Sequence, residues 1–327
     1  MRNLEIGEEE IAEGEFISKN ENSEEFDMLF LVNKEVQELM KNLDIQNIII
    51  DILKYDLSTN SEEMLDHNGI QIIRLCYKFL AYFVHENNKN QVSLEKDIKI
   101  FKQHLRSKRN YNSHLFLIEM FRNNKKLLFD PFMIEKFIKI FFEIMMTDQS
   151  KLKVFLMNSI KLLLKFKGSI IKANQTKLIN VLGLKTFNKS FLFLNDDEIQ
   201  KFVILSNEYT QSLANGQKSF DIPIDCDFFC QKLMSLAIAC EDKNDAAESR
   251  CQTFFSLKKI LHLMEHTESF WYFRKYVLIF LYHVFFDTEK DINESQATLN
   301  KITMLVLKDF ETICEHIDED KDIEIRF

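Results

Sequence analysis

The chain is 327 residues long, with 46% apolar residues, 6 glycines, 2 prolines and a net charge of −9. So few turn-forming residues, against a usual Gly plus Pro share of roughly 12%, favour long helices over a strand-rich fold. The longest apolar run, Tyr276–Phe286, is far shorter than the about 20 residues of a membrane-spanning helix. The sequence therefore excludes a pore formed by this chain alone.

Apolar residues recur at helical spacing through most of the chain. At Ile72, Ile73, Cys76, Phe79 and Leu80, for example, offsets of three and four mark one buried helical face. The same pattern predicts helices, in chain order, at Met28–Leu43, Ile45–Leu53, Ile70–His85, Asp97–Leu105, Ser113–Phe121, Pro131–Met146, Leu152–Lys165, Ser169–Leu182, Asp197–Leu213, Phe228–Cys240, Cys251–His266, Phe270–Phe286 and Gln296–His316.

Polar breaks separate these helices at Asn87–Asn90, Asn123–Asn124 and Lys167–Gly168, with an irregular spacing of some 34 to 44 residues. Paired helices with a period of about 40 residues are typical of armadillo or HEAT-like repeats. The sequence therefore predicts an all-α fold, an armadillo/HEAT-like α-solenoid of stacked helix pairs. Asp130 is predicted to cap the helix that begins at Pro131, because Asp accepts from free amides and Pro is tolerated at the first helical position.

The composition divides the chain into five predicted segments. Residues 1–25 are predicted to be an acidic disordered arm, because they have little periodic hydrophobicity. A helical solenoid with a basic middle follows over 26–205, a loop or joint over 206–225, the continuation of the solenoid over 226–316, and an acidic tail over 317–327.

Charge is unevenly distributed along the chain. Residues 99–189 carry 19 Lys or Arg against 5 Asp or Glu, whereas the first 27 residues carry ten acids and two bases. A basic middle between acidic ends indicates either an electrostatic docking surface or a set of solvated helix faces. No nucleic-acid motif accompanies the basic residues, so nucleic acid is not predicted as a partner. The candidate docking residues are Lys99, Lys102, Arg106, Lys108 and Arg109.

One local pattern could carry metal chemistry. His262, Glu265 and His266 match H-x-x-E-H, which places two imidazoles one helical turn apart beside a carboxylate. No further potential ligand lies at a spacing typical of a metal site, so this pattern is a weak candidate for metal binding. No phosphate-binding loop or nucleophile elbow occurs either. The sequence therefore predicts no cofactor and no enzymatic activity.

The cysteines do not show the paired spacing of a zinc site. Cys226 and Cys230 lie four apart, and Cys240 and Cys251 follow without a C-x-x-C pair. The N-terminal residues are acidic and lack the apolar core of a signal peptide. We therefore expect reduced, buried thiols with a structural role.

Six short strings follow one another in order along the chain, and their Asn residues fall at predicted helix ends, where Asn caps amides or tolerates left-handed backbone. This placement predicts a role in specifying the fold rather than in binding a ligand. The strings are N-x-x-N-Q (Asn87, Asn90, Gln91), F-x-N-N-x-x-L (Phe121, Asn123, Asn124, Leu127), G-x-x-I-K-x-x-Q (Gly168, Ile171, Lys172, Gln175), F-x-N-D (Phe193, Asn195, Asp196), E-x-K-N-x-x-x-E-x-[KR]-C (Glu241, Lys243, Asn244, Glu248, Arg250, Cys251) and H-x-x-x-D-T-E (His283, Asp287, Thr288, Glu289).

In these strings the chain resembles the second ryanodine/inositol trisphosphate receptor homology domain, in the regulatory solenoid of inositol trisphosphate receptors. The resemblance covers roughly Gly69–His316, extends faintly to Phe26 and is poorest at Ser206–Asp225. It implies a non-catalytic scaffold that docks on other domains or subunits of a calcium-release channel, at the cytoplasmic face of the endoplasmic reticulum or a related calcium store. The family's ligand-binding domains lie upstream and its pore downstream, so no inositol phosphate site is implied for this chain.

Two interpretations stay open at this point. The chain is a fragment, an incomplete gene model or a stand-alone paralogue of such a channel, or it is an independent armadillo-like adaptor. The adaptor would be soluble on its own and would bind an acidic protein or an anionic membrane surface through the basic middle. Exposed charges are screened beyond about 8–10 Å at physiological salt, so salt-sensitive binding would favour the adaptor.

Overall fold

The structure, a computed structural model, describes residues 33–58, 67–107, 111–147, 151–184, 187, 196–215, 222–267, 270–288 and 296–319. Helices dominate these ranges, and the predicted all-α fold of stacked helix pairs is confirmed. The helices are α1 (Lys34–Asn42), α2 (Ile45–Ser58), α3 (His67–Val84), α4 (Asn88–Ser93), α5 (Ile98–Arg106), α6 (Ser113–Phe121), α7 (Lys125–Leu128), α8 (Pro131–Thr147), α9 (Lys151–Leu164), α10 (Lys172–Leu182), α11 (Asp196–Ala214), α12 (Ile224–Cys240), α13 (Asp245–Phe254), α14 (Leu257–His266), α15 (Trp271–Leu281) and α16 (Gln296–Glu319).

The chain divides into two units, residues 1–101 with 109–120, and residues 102–108 with 121–327. In the first unit α1, α2 and α3 pack on one another, and α4 follows against α3. Its core is aromatic, because the rings of Phe101 and Phe116 meet edge to face at 4.6 Å and Tyr77 contacts both. Such pairs add to the stabilisation that burial alone supplies.

The second unit is organised around α12. This helix contacts α9, α10, α11, α13 and α15, and buried residues lie on every side of it. A helix that is apolar all round belongs inside a larger helical body. Phe229 of α12 illustrates this, because its ring lies 4.7 Å from that of Phe202 and 5.9 Å from that of Phe273.

Several predicted helices have different bounds in the structure: the helix predicted at Ile45–Leu53 continues to Ser58, for example, and the one predicted at Phe228–Cys240 begins at Ile224. The predicted helix Ser169–Leu182 begins only at Lys172, because Ser169–Ile170 pairs antiparallel with Lys165–Phe166 in a small hairpin (β1 and β2). Lys167 (φ 47°) and Gly168 (φ 78°) form its turn, as expected for a two-residue hairpin loop with both central residues left-handed.

The predicted helix Cys251–His266 is in fact two helices. Its residues fall in α13 and α14, which are separated by Phe255 and Ser256 in extended conformations. The break turns Phe255 into the core, where its ring lies 5.8 Å from that of Phe280. Tertiary packing therefore overrides the continuous helical pattern of the sequence.

The predicted segment boundaries meet the described residues at two places. Helix α11 continues to Ala214, so it occupies the first part of the predicted joint at 206–225, and α12 begins at Ile224. The acidic arm (1–25) and most of the acidic tail (317–327) lie outside the described residues. The five-segment division therefore stays a prediction.

Candidate functional site

Gln37 joins α1 to the end of α3. Its amide is 1% exposed and donates to the carbonyl oxygens of Tyr82 at 2.7 Å and His85 at 2.9 Å. Asn87 Nδ2 donates to Gln37 Oε1 at 2.9 Å, while Asn87 Oδ1 accepts from the backbone N–H of Asn90 and caps α4. We call this arrangement an amide clasp: a buried Gln holds two carbonyls at a helix end, and the capping Asn of the next helix holds the Gln.

The same arrangement occurs in the second unit. Gln175 of α10 is fully buried and donates to the carbonyl oxygens of Ile238 at 2.9 Å and Glu241 at 2.8 Å, at the end of α12. Asn244 Nδ2 donates to Gln175 Oε1 at 2.9 Å, and Asn244 Oδ1 caps α13 by accepting from the N–H of Ala247. Buried amides that are satisfied in this way fix one arrangement of the helices they join.

In each of two Asn–Gln dipeptides, the Asn side chain donates to an earlier part of the chain and the Gln side chain to a later part. Asn90 donates back to the carbonyl of Phe83, and Gln91 donates forward to the carbonyl of Glu119 at 2.7 Å. Asn174 likewise donates back, to the carbonyls of Leu163 and Leu128 at 2.7 and 2.9 Å, and Gln175 forward. Each dipeptide therefore ties its own helix to an earlier and a later one.

Left-handed residues precede the capping Asn at each of these turns. Glu86 has φ 49° before Asn87, and Lys243 has φ 57° before Asn244. Asn123 has φ 51° before Asn124, which caps α7 by accepting from the N–H of Leu127 at 3.2 Å. The predicted location of these Asn residues at helix ends is therefore what the structure shows, with the chain reversing direction immediately before each cap.

Residues of the last two strings contact each other. Thr288 donates its hydroxyl to the carboxylate of Glu248 at 2.6 Å, and the ammonium of Lys243 lies 4.0 Å from the Asp287 carboxylate. Glu248 is fully buried in α13. His283 lies in the π-helical turn Tyr282–Phe286 that follows α15.

Other string residues have separate positions. The thiol of Cys251 is buried within 3.9 Å of the Leu236 carbonyl, and Lys172 is exposed. Gly168 occupies the left-handed position in the hairpin turn. Asp130 Oδ1 accepts from the N–H groups of Phe132 and Met133, which confirms the predicted cap. Lys108, Arg109, Asn195 and Glu289 lie outside the described residues, and only the backbone of Asp196 is described.

The predicted basic docking residues are partly held by neighbours. Lys102 Nζ lies 5.0 Å from the ring centre of Phe137, and burial, followed by the charges of Lys136 and Arg106, lowers its pKa. The Arg106 guanidinium pairs with the Glu143 carboxylate at 2.5 Å. Lys99 is exposed on α5. A cation of α8, Lys136, therefore adds to the basic residues of α5, although its position in the sequence does not indicate this.

The metal candidate lies on an exposed surface of α14. The His262 and His266 rings are 4.2 Å apart, and His266 Nδ1 is hydrogen-bonded to the His262 carbonyl at 2.7 Å. In the part of the chain that the structure describes, no group of three potential ligands forms, with Glu265 or otherwise. The arrangement offers a divalent cation at most two imidazoles, fewer than the three protein ligands of catalytic zinc sites.

The predicted burial of the cysteines is confirmed for Cys226, Cys230, Cys240 and Cys251. Burial, together with the nearby carboxylates of Asp225 and Asp227, raises the pKa of Cys226 to about 12. Because the thiolate is the reactive form, such a thiol is inert near neutral pH.

Sequence reasoning missed Gln37, which forms the first clasp, and Asn174, which ties α10 to the carbonyls of Leu128 and Leu163. The repeated Asn–Gln dipeptide, at Asn90–Gln91 and again at Asn174–Gln175, is the signal that could have identified Asn174. Gln37 has no such neighbour, since it stands in the amphipathic sequence of α1 and differs from exposed Gln residues only in its burial.

Comparison with models of protein families identifies the family of the chain. The family model of the RIH domain of ryanodine and inositol trisphosphate receptors matches residues 15–193, more than half of the 327 residues. The match includes the first three strings and the clasp residues Gln37, Asn87 and Gln175. Among the described residues, no helix is both long and apolar enough to cross a membrane. The predicted family is thus confirmed, and the chain belongs to the RIH-domain family of these receptors.

Proposed function

We propose that the chain is a non-catalytic scaffold of an inositol trisphosphate-gated calcium-release channel, or of a close relative of one, which docks on other domains and passes their movements on. The amide clasps are the observation that supports this best. In the two clasps, side-chain amides join parts of the chain that are 45 to 69 residues apart. Coupling between distant sites is carried by packed elements and hydrogen-bond networks of this kind.

The proposed location is the cytoplasmic face of the endoplasmic reticulum or a related calcium store, with other channel domains or subunits as partners. The proposal involves no cofactor and no catalytic residue, since the Asn and Gln residues of the strings that carry the resemblance form helix caps and clasps. The proposed action is mechanical, because a helix end that moves would also displace the neighbour to which it is hydrogen-bonded.

The experiment is to delete the gene region that encodes the chain and to measure agonist-evoked calcium release from internal stores. We expect altered release, restored by the natural sequence and by the matched control Thr176→Ala but not by Gln175→Leu. The tagged chain should also co-purify with channel subunits. Unchanged release together with no co-purifying channel would contradict the proposal.

A further inference from the structure

Exposed aromatic rings and lysines lie together where α7, α8 and the hairpin meet. Phe129 is 51% exposed and Phe132 is 75% exposed. The ring of Phe129 meets that of Phe166 of β1 edge to face at 6.0 Å. We call the rings of Phe129, Phe132 and Phe166, together with Lys125 and Lys167, the aromatic–lysine surface.

The two lysines lie over rings of the same group. Lys125 Nζ is 5.9 Å from the ring centre of Phe129, and Lys167 Nζ is 5.8 Å from that of Phe166. Neither ammonium has an ion-pair partner among the residues that the structure describes. The surface therefore presents apolar rings and uncompensated positive charge at the same place.

The hydrogen bonds around the surface fix its position. The backbone N–H of Lys167 donates to Asn123 Oδ1 at 3.0 Å, which holds the hairpin turn against the turn before α7. Two acids next to these residues in the chain or its pairing have other partners, since Asp130 caps α8 and Glu241 pairs with Lys165 at 3.1 Å. The backbone segments that carry the rings are thus held in place before any partner binds, which lowers the ordering cost of binding.

We propose that the aromatic–lysine surface binds the headgroup region of an anionic lipid membrane. Rings inserted at the boundary between headgroups and acyl chains lose contact with water, while the ammonium groups stay level with the lipid phosphates. Each basic residue close to an anionic leaflet strengthens binding. An acidic protein would satisfy the charges but would have to supply apolar pockets for two separate, strongly exposed rings, so a membrane fits the observations better. The proposal goes beyond the scaffold role proposed above, because it adds a lipid surface to the protein partners named there.

The test is flotation of the full 327-residue chain with vesicles of phosphatidylcholine alone or mixed with phosphatidylserine. We expect binding to the mixed vesicles that weakens with added salt. Phe129→Ser with Phe132→Ser should lower the partition coefficient about tenfold, and Lys125→Gln and Lys167→Gln should lower it about fivefold each.

Matched controls come from exposed residues elsewhere in the chain. Phe310→Ser, at a ring that is 54% exposed on α16, and Lys301→Gln on the same helix should leave binding unchanged. All variants should keep the melting temperature of the natural chain, because the altered side chains are exposed.

Three results would overturn the proposal: no binding to anionic vesicles, equal loss of binding in the control variants, or retention by immobilised polyglutamate without retention by vesicles, which would indicate an acidic protein instead. Vesicle binding is measured on the purified chain, without any channel. It therefore succeeds or fails independently of the calcium-release experiment.

Discussion

The side-chain amide of Asn244 donates to the side-chain carbonyl of Gln175, although the two residues are 69 positions apart. Neither residue is charged, and the bond between them is partly buried. A lone buried amide would be costly, but here each polar atom of the pair that faces the interior has a partner. The pair therefore favours one packing of α10 against α12 over alternatives in which the helices slide past each other.

Gln175→Leu should lower the free energy of unfolding by about 3 kcal/mol, because the carbonyls of Ile238 and Glu241 would remain buried without their donor. Urea denaturation of the full chain measures this. Thr176→Ala, on the exposed side of the same helix, should change stability by less than about 0.5 kcal/mol.

A double-mutant cycle tests whether the clasp acts as a unit. Asn244→Ala alone should be destabilising, and combining it with Gln175→Leu should cost less than the sum of the two, with a coupling of about 1 kcal/mol or more. Strict additivity would show that the two side chains stabilise the fold separately.

Arg274 is expected to behave as a buried ion-pair partner. It is 2% exposed in α15, donates to the Met264 carbonyl at the end of α14, and its Nε lies 3.6 Å from Oδ2 of Asp309 in α16. Arg274→Leu should cost about 3–5 kcal/mol, because the buried carboxylate loses its guanidinium.

The compensating variant separates charge from packing. Adding Asp309→Leu to Arg274→Leu removes the carboxylate that lost its guanidinium and should recover much of the lost stability, since apolar replacements of buried pairs are often neutral or stabilising. If the double variant is as unstable as Arg274→Leu, the loss comes from packing around α16. Chemical denaturation of the three chains distinguishes these outcomes.

Glu135 should make stability depend on pH in the acid range. Hydrogen bonds from Lys139 and Lys177, at 2.7 and 2.8 Å, lower its pKa from 4.5 to about 2. A folded pKa below the unfolded one gives stability that is present above pH 4.5 and is lost as the pH falls towards 2. Because the carboxylate is 31% exposed, screening limits the effect to about 1 kcal/mol or less.

Glu135→Gln should therefore flatten the stability profile between pH 5 and about 2 relative to the natural chain. Glu143→Gln is the comparison variant, because Glu143 also lies on α8 but its carboxylate pairs with Arg106 of α5. A profile of Glu135→Gln that still follows the natural one would show that the lysine contacts do not persist in solution.

Lys232 should make stability depend on pH in the alkaline range, because here the charged form is the one that burial destabilises. Burial against Phe228 and Phe229, with ring centres 5.0 and 5.9 Å from Nζ, lowers its pKa from 10.5 to about 8. Between those values the unfolded chain binds the extra proton, so this lysine makes stability rise as the pH rises from 8 to 10.5.

Lys232→Met should stabilise the chain at pH 7, by about 1 kcal/mol, and should remove this rise. The matched control is Lys201→Met, because Lys201 is exposed and is bonded to Asp225. Thermal unfolding at pH 7 and pH 10 gives both quantities. A destabilised Lys232→Met variant at pH 7 would mean that the ammonium contributes more than its burial costs.

Local patterns predicted the fold class and most helices, and tertiary contacts decided the rest. Ser113–Phe121 and the cap at Asp130 follow from spacing and from side-chain chemistry alone. The break at Phe255 does not, because the ring of that residue leaves the helical pattern to pack on Phe280. Ser169 joined a hairpin for a similar reason, since the left-handed residues before it reverse the chain.

The clasps show what a sequence reveals of such a site. Asn87 and Asn244 are visible as helix-end residues, because a cap depends on neighbours within four positions. Their partners Gln37 and Gln175 are 50 and 69 positions away, and nothing in a local pattern reports that distance. The caps were therefore predictable and the clasps were not.

The Gln175–Asn244 bond also bears on insertions and deletions. The bond connects the two ends of the segment between Gln175 and Asn244, which includes α11 and the chain on either side of it. Because doubling the length of a closed segment costs only about 0.6 kcal/mol, relatives can gain or lose residues between α10 and α12 while the bond persists. Length variation among relatives should therefore concentrate there, and Gln175 and Asn244 should be kept or lost together.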